Sequence, residues 1–226
     1  MVKSLKRITK NNYYFFWFIM LISCQPIEYE NIPYYRSYFP LELNSEKEFL
    51  ITRIIHNSFG KDTNSYFLKE VVTEKFIDLE GDTVYRIERY SKVDSNASYI
   101  IKDVWTSKLN YNNALLTEEN EIFTKLIFPL NSNVFWNGNA YNSRPYEEYN
   151  LESLHIPFQN SSFSFDSSLT VRQNYKSNLL EYESAKEVYV TSIGLVYKEA
   201  IDVELVAGNQ NEISEGYEYF QELISY

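Results

Sequence analysis

The sequence predicts an antiparallel all-β domain of about eight to ten strands, a meander that forms a strongly curved sheet or barrel. Apolar and polar residues alternate through most of the chain, which is the period of a half-buried strand. Turn-forming clusters break this alternation roughly every ten residues, as antiparallel hairpins require. Tyr and Phe are abundant, whereas the chain holds only six glycines. A two-sheet β-sandwich is the alternative architecture.

The first 23 residues are typical of a secretory signal. The segment 1–12 carries four basic residues and no acidic one, and the apolar run that follows, 13–22, is ten residues long. A membrane-spanning helix needs about 20 apolar residues, whereas a signal peptide needs roughly 7–15 after a basic start. We therefore expect residues 1–23 to be removed.

Leu21-Ile22-Ser23-Cys24 resembles the lipobox of bacterial lipoproteins, and Cys24 is the only cysteine in the chain. In that family the thiol receives a diacylglycerol, the chain is cut before the cysteine, and the new amino terminus is acylated, with palmitate among the typical chains. Each buried methylene contributes about 0.8 kcal/mol, so several acyl chains give a stable anchor. The resemblance implies lipid attachment at Cys24 and an outer-membrane location, on either the periplasmic or the surface face.

Residues 24–39 are predicted to form an extended tether, because three prolines occur in the 16 residues that follow Cys24. Removing residues 1–23 takes away four of the 21 basic residues and none of the 31 acidic ones, so the formal net charge falls from −10 to −14. A charge of this sign argues against nucleic acid as a partner. The membrane, through Cys24, is the expected attachment.

Residues 40–226 form a single predicted domain, since no repeat or linker divides them. In "GLVYKEAIDVEL", Leu195, Tyr197, Ile201, Val203 and Leu205 share one parity, while Lys198, Asp202 and Glu204 take the other. "TVYRIERY", "FSFDSSLTVRQ" and "EIFTKLIF" are further predicted strands. Turn-rich breaks separate these runs at 60–64, 78–82, 93–98 and 158–162.

Three segments are less regular. "YFLKEVVTEKF", residues 66–76, is predicted as a strand because its centre is β-branched. "SNLLEYESAKEVY", residues 177–189, contains helix formers and is interpreted as a short helix. Residues 214–226 are rich in aromatic residues despite their acidic character, so we predict a terminal strand that pairs with an open sheet edge.

Several short motifs are similar to those of an uncharacterised family of Bacteroidota lipoproteins. They are "YFPLEL", "VYRIERY", "DVWTS", "LIFPL", "FWNGNAYN", "GLVYKE" and the final "GYEYFQELISY". The resemblance covers nearly the whole mature chain and implies an anchored β domain without a known activity. The family has a Gly-Asn turn and an aromatic residue after its "YFPL", where this chain has "NSEKEF".

The sequence predicts no catalytic residue, no metal ligand set and no cofactor. His56 and His155 lack His, Cys or carboxylate neighbours at ligand spacing. Asp78, Glu80 and Asp82 alternate as calcium ligands do, but Arg89 stands where the bidentate Glu of an EF-hand loop belongs, so a hairpin turn is the better interpretation. Adjacent glutamates occur at 118–119 and 147–148. Neighbouring residues of a strand point to opposite faces, so these pairs do not indicate a catalytic acid and base.

Aromatic residues are the candidate contacts for a ligand or partner. Trp105, Tyr111, Trp136 and Tyr141 are set among polar residues, an arrangement suited to sugars or apolar molecules. A tryptophan of a β domain is also often part of the core. "WNGN", which starts at Trp136, is interpreted as a turn in which Asn137-Gly138 favours positive φ.

These observations favour a non-enzymatic, lipid-anchored protein of the cell envelope that binds a small apolar molecule, a glycan or an envelope protein. A structural accessory subunit of an outer-membrane complex is the second interpretation. An envelope hydrolase is a distant third.

Overall fold

The computed structural model describes residues 35–132, 134–207 and 209–226. Cys24 and the predicted signal peptide lie outside these residues, so lipid attachment at Cys24 stays a prediction. None of the helices in the described ranges combines the length and the apolar composition that crossing a membrane requires.

The described chain forms one antiparallel sheet of twelve strands, in the order β6-β5-β4-β3-β2-β1-β12-β11-β10-β9-β8-β7. The strands are β1 (Glu46–Asn57), β2 (Gly60–Ile77), β3 (Thr83–Lys92), β4 (Ile100–Leu109), β5 (Asn113–Glu118), β6 (Glu121–Ile127), β7 (Phe135–Asn137), β8 (Glu148–Gln159), β9 (Ser164–Ser177), β10 (Glu181–Val190), β11 (Gly194–Val206) and β12 (Asn209–Ser225). The all-β prediction is confirmed, and the sheet is nearly closed and barrel-like rather than a two-sheet sandwich.

Two details differ from the sequence predictions. Residues 181–190, interpreted as part of a short helix, form β10, which is paired on one side with β9 and on the other with β11. This double pairing satisfies the backbone on both sides and overrides the helix propensity of residues such as Ala185. The final segment is a strand, as predicted, but β12 lies between β1 and β11 in the middle of the sheet.

The sheet closes where the edge strand β6 meets the segment after β7. The Thr124 amide donates to the Gly138 carbonyl at 2.8 Å, and the Trp136 indole nitrogen donates to the Thr124 carbonyl at 2.9 Å. The Asn142 side chain donates to the Ile122 carbonyl at 2.9 Å. These bonds satisfy backbone groups that an open edge would expose, which explains how a meander ends without a free edge at β6.

Gly138 is needed for space rather than for positive φ. It is absent from the glycines with positive φ in the described residues, namely Gly60, Gly81, Gly194 and Gly216. A Cβ on Gly138 would overlap the ring of Tyr149. The turn predicted at "WNGN" is right only in part, because Trp136 and Asn137 end β7 and the turn begins at Gly138, where the glycine makes room for a buried aromatic ring.

The core consists of two clusters of buried apolar side chains. The first contains Tyr38, Phe39, Ala114, Leu126, Phe128, Leu130, Trp136, Tyr149, Leu151, Leu169, Val171 and Tyr189. The second contains Phe49, Ile51, Leu68, Phe165, Val188, Val190, Val196 and Leu223. Tyr38, which the sequence analysis assigned to the tether, is fully buried, and its hydroxyl bonds His155 Nδ1 at 3.0 Å.

We expect Trp136→Phe to lower the free energy of unfolding by about 1–3 kcal/mol, because the buried Thr124 carbonyl loses the indole donor. Denaturant unfolding followed by circular dichroism measures the change. Trp105→Phe is the matched control, since the Trp105 indole nitrogen is buried without a hydrogen-bond partner in the described part of the chain. Equal losses in the two variants would show that the closing hydrogen bond contributes nothing.

Candidate functional site

The interior of the barrel encloses a cavity of about 260 Å³. Its rim is formed by residues 39–42 and 45–47, by the β10–β11 turn at 192–195 and by Tyr226. These segments meet at one end of the barrel because β1 begins there, β10 ends there, and β12, antiparallel to β1, also ends there. Ser192 donates its amide to the Ser37 carbonyl at 2.8 Å, which joins two sides of the rim.

Much of the cavity wall is apolar. The apolar and aromatic side chains of the wall are Phe39, Pro40, Leu41, Val72, Ile87, Trp105, Leu116, Tyr189, Ile193, Leu195, Tyr219 and Tyr226. They come from seven strands and from the rim, so the wall exists only when the sheet is curled. Pockets of this kind, concave and largely apolar with a few polar groups, are the usual binding sites of small molecules.

A row of alternating charges crosses four strands on the inner face. Lys47 of β1 is in register with Glu70 of β2, Glu70 with Arg89 of β3, and Arg89 with Asp103 of β4. Arg89 donates to the carboxylates of Glu70 at 3.0 Å and Asp103 at 3.1 Å. The guanidinium of Arg89 also stacks on the ring of Trp105, 3.5 Å from its centroid. Trp105 is thereby fixed against the wall by a cation–π contact.

A second charged cluster joins β5, β6, β10 and β11. The Lys125 ammonium donates to Glu187 at 2.6 Å and to Glu118 at 3.1 Å. Lys198 lies 3.4 Å from Glu187 and 3.9 Å from Glu118, so two cations face two carboxylates. Tyr189 donates to the other oxygen of Glu187 at 2.5 Å. The cluster is internally neutralised, as burial of charge requires.

The pKa values of this cluster follow from burial and from the paired charges. Burial would raise the pKa of Glu118, but Lys125 and Lys198 outweigh it and lower the pKa to about 2. The same balance lowers the pKa of Glu187. Burial would lower the pKa of Lys125, yet Glu118 and Glu187 raise it above its ordinary value. Glu118, Glu187 and Lys125 are therefore charged at neutral pH.

Of the four predicted contact residues, only Trp105 lines the cavity. Trp136 is buried in the core and holds the sheet closure, while Tyr111 is exposed on the β4–β5 connection. Tyr141 is exposed beside a second hollow that also contains Lys108. A ligand contact at each of these positions stays a prediction. The interior charges Lys47, Glu70 and Glu187 were not among the predicted residues.

The acidic turn between β2 and β3 is occupied by a lysine. Asp78, Glu80 and Asp82 present carboxylate oxygens within 4.8 Å of one another. Lys108 forms an ion pair with Asp78 and lies 3.1 Å from Glu80 and 3.4 Å from Asp82. The ammonium group thus supplies the positive charge that a metal ion would bring. Asp78 also accepts the amides of Glu80 and Asp82, which is the geometry of a hairpin turn.

Both histidines have structural partners. The His56 Nε2 lies 2.7 Å from Glu218, which links β1 to β12. His155, at positive φ, bonds Tyr38 and Ser167. The two rings stand on different strands, with these separate partners.

Comparison with known proteins gives similarities of shape. No family model matches the chain, and no curated protein matches it. A solved structure from Bacteroides fragilis, described as an exported protein with a YMCC-like fold, is 12% identical with a TM-score of 0.44, covering 82% of this chain and 97% of that chain. A second, from Parabacteroides distasonis and described as a lipoprotein, is 11% identical with a TM-score of 0.41, covering 83% and 97%. At these values neither similarity carries a property over to this chain.

Proposed function

We propose that the protein is a lipid-anchored, non-enzymatic protein of the bacterial cell envelope that holds a small, largely apolar molecule inside the barrel. The observation that carries this proposal is the cavity of about 260 Å³ with its apolar wall and its few fixed polar groups. The N-terminal segment ending at Cys24 supports anchoring to the outer membrane. An acylated Cys24 would keep the binding domain at the membrane.

The state of the interior carboxylates supports a binding role over catalysis. A general acid must retain a proton near neutral pH, whereas the pKa values of Glu118 and Glu187 are both lowered. Glu70 is bound by Arg89, and Glu187 by Lys125 and Tyr189. The carboxylates of Glu70 and Glu187 therefore neutralise buried cations.

A second candidate is an accessory subunit that docks on an envelope protein. The hairpin tips at the barrel end opposite the cavity rim carry the exposed side chains of Phe59, Val93, Leu179 and Leu180. Exposed apolar groups on several hairpin tips favour a protein contact. The occupant of this end is then a partner protein rather than a small molecule.

One experiment tests the anchor and the cavity together. The full chain is extracted in mild detergent from its own envelope and measured by native mass spectrometry. We expect a covalent mass that corresponds to cleavage before Cys24 with added acyl chains, and a small molecule that leaves on collisional heating. Cys24→Ser should lack the acyl mass.

The cavity has its own matched pair of variants in β2. Val72 is nearly buried and lines the cavity, whereas Ile77, near the end of the same strand, is exposed. Val72→Trp should fill the cavity and remove the small molecule, and Ile77→Trp should retain it. Absence of any small molecule from the native protein would refute the binding proposal. A co-purifying protein in its place would support the accessory-subunit function.

A further inference from the structure

Lys47 differs from the other cations of the cavity wall. Arg89, Lys125 and Lys198 each lie within 4.0 Å of at least one carboxylate. Within residues 35–132, 134–207 and 209–226, Lys47 has no ion-pair or hydrogen-bond partner, although Glu70 is its neighbour in register on β2. Glu70 instead accepts from Arg89 at 3.0 Å. The ammonium of Lys47 is therefore the one positive charge of this wall, in the described residues, that the protein leaves without a direct counter-charge.

Apolar groups lie beside the Lys47 ammonium. Its ammonium lies 5.8 Å from the centroid of the Phe49 ring. A Cβ on Gly194 would lie 3.5 Å from the ammonium and 3.2 Å from Pro40, so a side chain at this position would crowd the charge. Burial lowers the pKa of Lys47, and Glu70 only partly opposes this effect. An ammonium held in such a place is incompletely solvated, and an anion beside it would restore the lost stabilisation.

The rim carboxylates do not serve as this anion. Glu46 points to the surface and lies 3.4 Å from Lys69, and Glu42 is exposed. Both line the mouth rather than contact the Lys47 ammonium. A ligand that enters past them meets an unpaired cation next to an apolar wall.

We propose that the ligand of the cavity is an apolar molecule with a single anionic head group, such as a carboxylate, and that Lys47 binds this head group. This inference rests on the proposed binding function and specifies the ligand class. The head group pairs with the Lys47 ammonium beside Gly194. The apolar body packs on wall residues such as Val72, Ile87 and Leu116. The buried pairs of Arg89 and Lys125 stay intact, because their carboxylates are already bound.

Isothermal titration calorimetry of the full chain with four probes tests the inference: octanoate, 1-octanol, octylamine and acetate. We expect octanoate to bind about tenfold or more tightly than 1-octanol, since a hydrogen bond to a charged group contributes at least a factor of ten. Octylamine and acetate should bind more weakly than octanoate, because one has the wrong charge and the other lacks the apolar body.

Variants at Lys47 assign the preference to its charge. Lys47→Met should make octanoate and 1-octanol bind equally, whereas Lys47→Arg should keep the preference for octanoate. Lys61→Met removes an exposed lysine at the other end of the barrel and is the matched control, which should behave as the native protein. Glu70 keeps Arg89 as its partner in the Lys47 variants, so the fold has no new unpaired carboxylate.

The outcomes separate the inference from the proposed function. Equal binding of octanoate and 1-octanol to the native protein, or an unchanged preference in Lys47→Met, overturns the role of Lys47 while a cavity that binds apolar molecules stands. Acetate binding as tightly as octanoate overturns the need for an apolar body. If none of the probes binds and the natively extracted protein also carries no small molecule, the proposed function itself fails.

Discussion

Deleting residues 214–226 should abolish cooperative folding of the domain. The deletion removes most of β12, which pairs with β1 on one side and β11 on the other. Without it the six strands β1 to β6 and the five strands β7 to β11 lose their continuous pairing and stay connected through the bonds between β6 and the segment after β7. The buried side chains of Gln221 and Leu223 are lost as well. Circular dichroism during heating should show no cooperative transition, or the chain should be insoluble.

The size of this effect depends on the central position of β12. Loss of an edge strand exposes one new row of backbone donors and acceptors, whereas loss of β12 exposes two, on β1 and on β11. Removal of Tyr226 alone is the control, because this residue lies beyond the strand and is exposed. A soluble truncated protein with an unchanged melting temperature would contradict the central role of the strand.

Lys125→Met should destabilise the domain by about 3–5 kcal/mol, because it leaves buried carboxylates without their main counter-charge. The Lys125 side chain is 5% exposed, and its partner Glu187 is 1% exposed. Lys198 alone would then face two carboxylates. For a domain of this size each kcal/mol shifts the melting temperature by about 2–4 °C, so the expected fall is on the order of 10 °C.

A surface lysine with the same number of partners provides the control. Lys176 lies 2.6 Å from Glu181 and 3.3 Å from Glu183, but its side chain is 49% exposed. Lys176→Met should cost at most about 1 kcal/mol. Adding Glu187→Gln to Lys125→Met should restore part of the lost stability, since one buried charge is removed. An equal decrease in the free energy of unfolding for Lys125→Met and Lys176→Met would show that burial of the charged cluster does not affect stability.

Much of the fold follows from local pattern. Alternation places strands at β3, β9 and β11, and the turn-rich breaks predicted at 78–82 and 93–98 lie between strands, whereas the break predicted at 60–64 was wrong because these residues begin β2. The helix expected within 177–189 was wrong, because pairing on both edges of β10 decides its conformation and no local window contains that pairing. The twelve strands exceed the expected eight to ten, partly because β7 has only three residues and carries no periodic signal.

The candidate site could be predicted only in part. Arg89 shares parity with the inward Ile87, and Lys125 interrupts an apolar run, so the sequence does contain a signal for interior charge. That signal does not say which carboxylates pair with these cations, since Glu187 is 62 residues from Lys125. The neighbourhood of Lys47 combines the ring of Phe49 with Gly194 of the β10–β11 turn and with Pro40. Such a juxtaposition is a property of the closed sheet.

The position of β12 also sets the order in which the molecule can fold. β1 and β12 are neighbours although the His56–Glu218 pair that joins them spans 162 residues. A sheet whose middle is formed by its first and last strands has high contact order, and such topologies fold slowly. During synthesis β1 and β11 cannot be joined until the final strand has emerged, so the sheet stays incomplete at its centre while the chain is being made. A chain that is expected to cross a membrane before it folds gains from this delay.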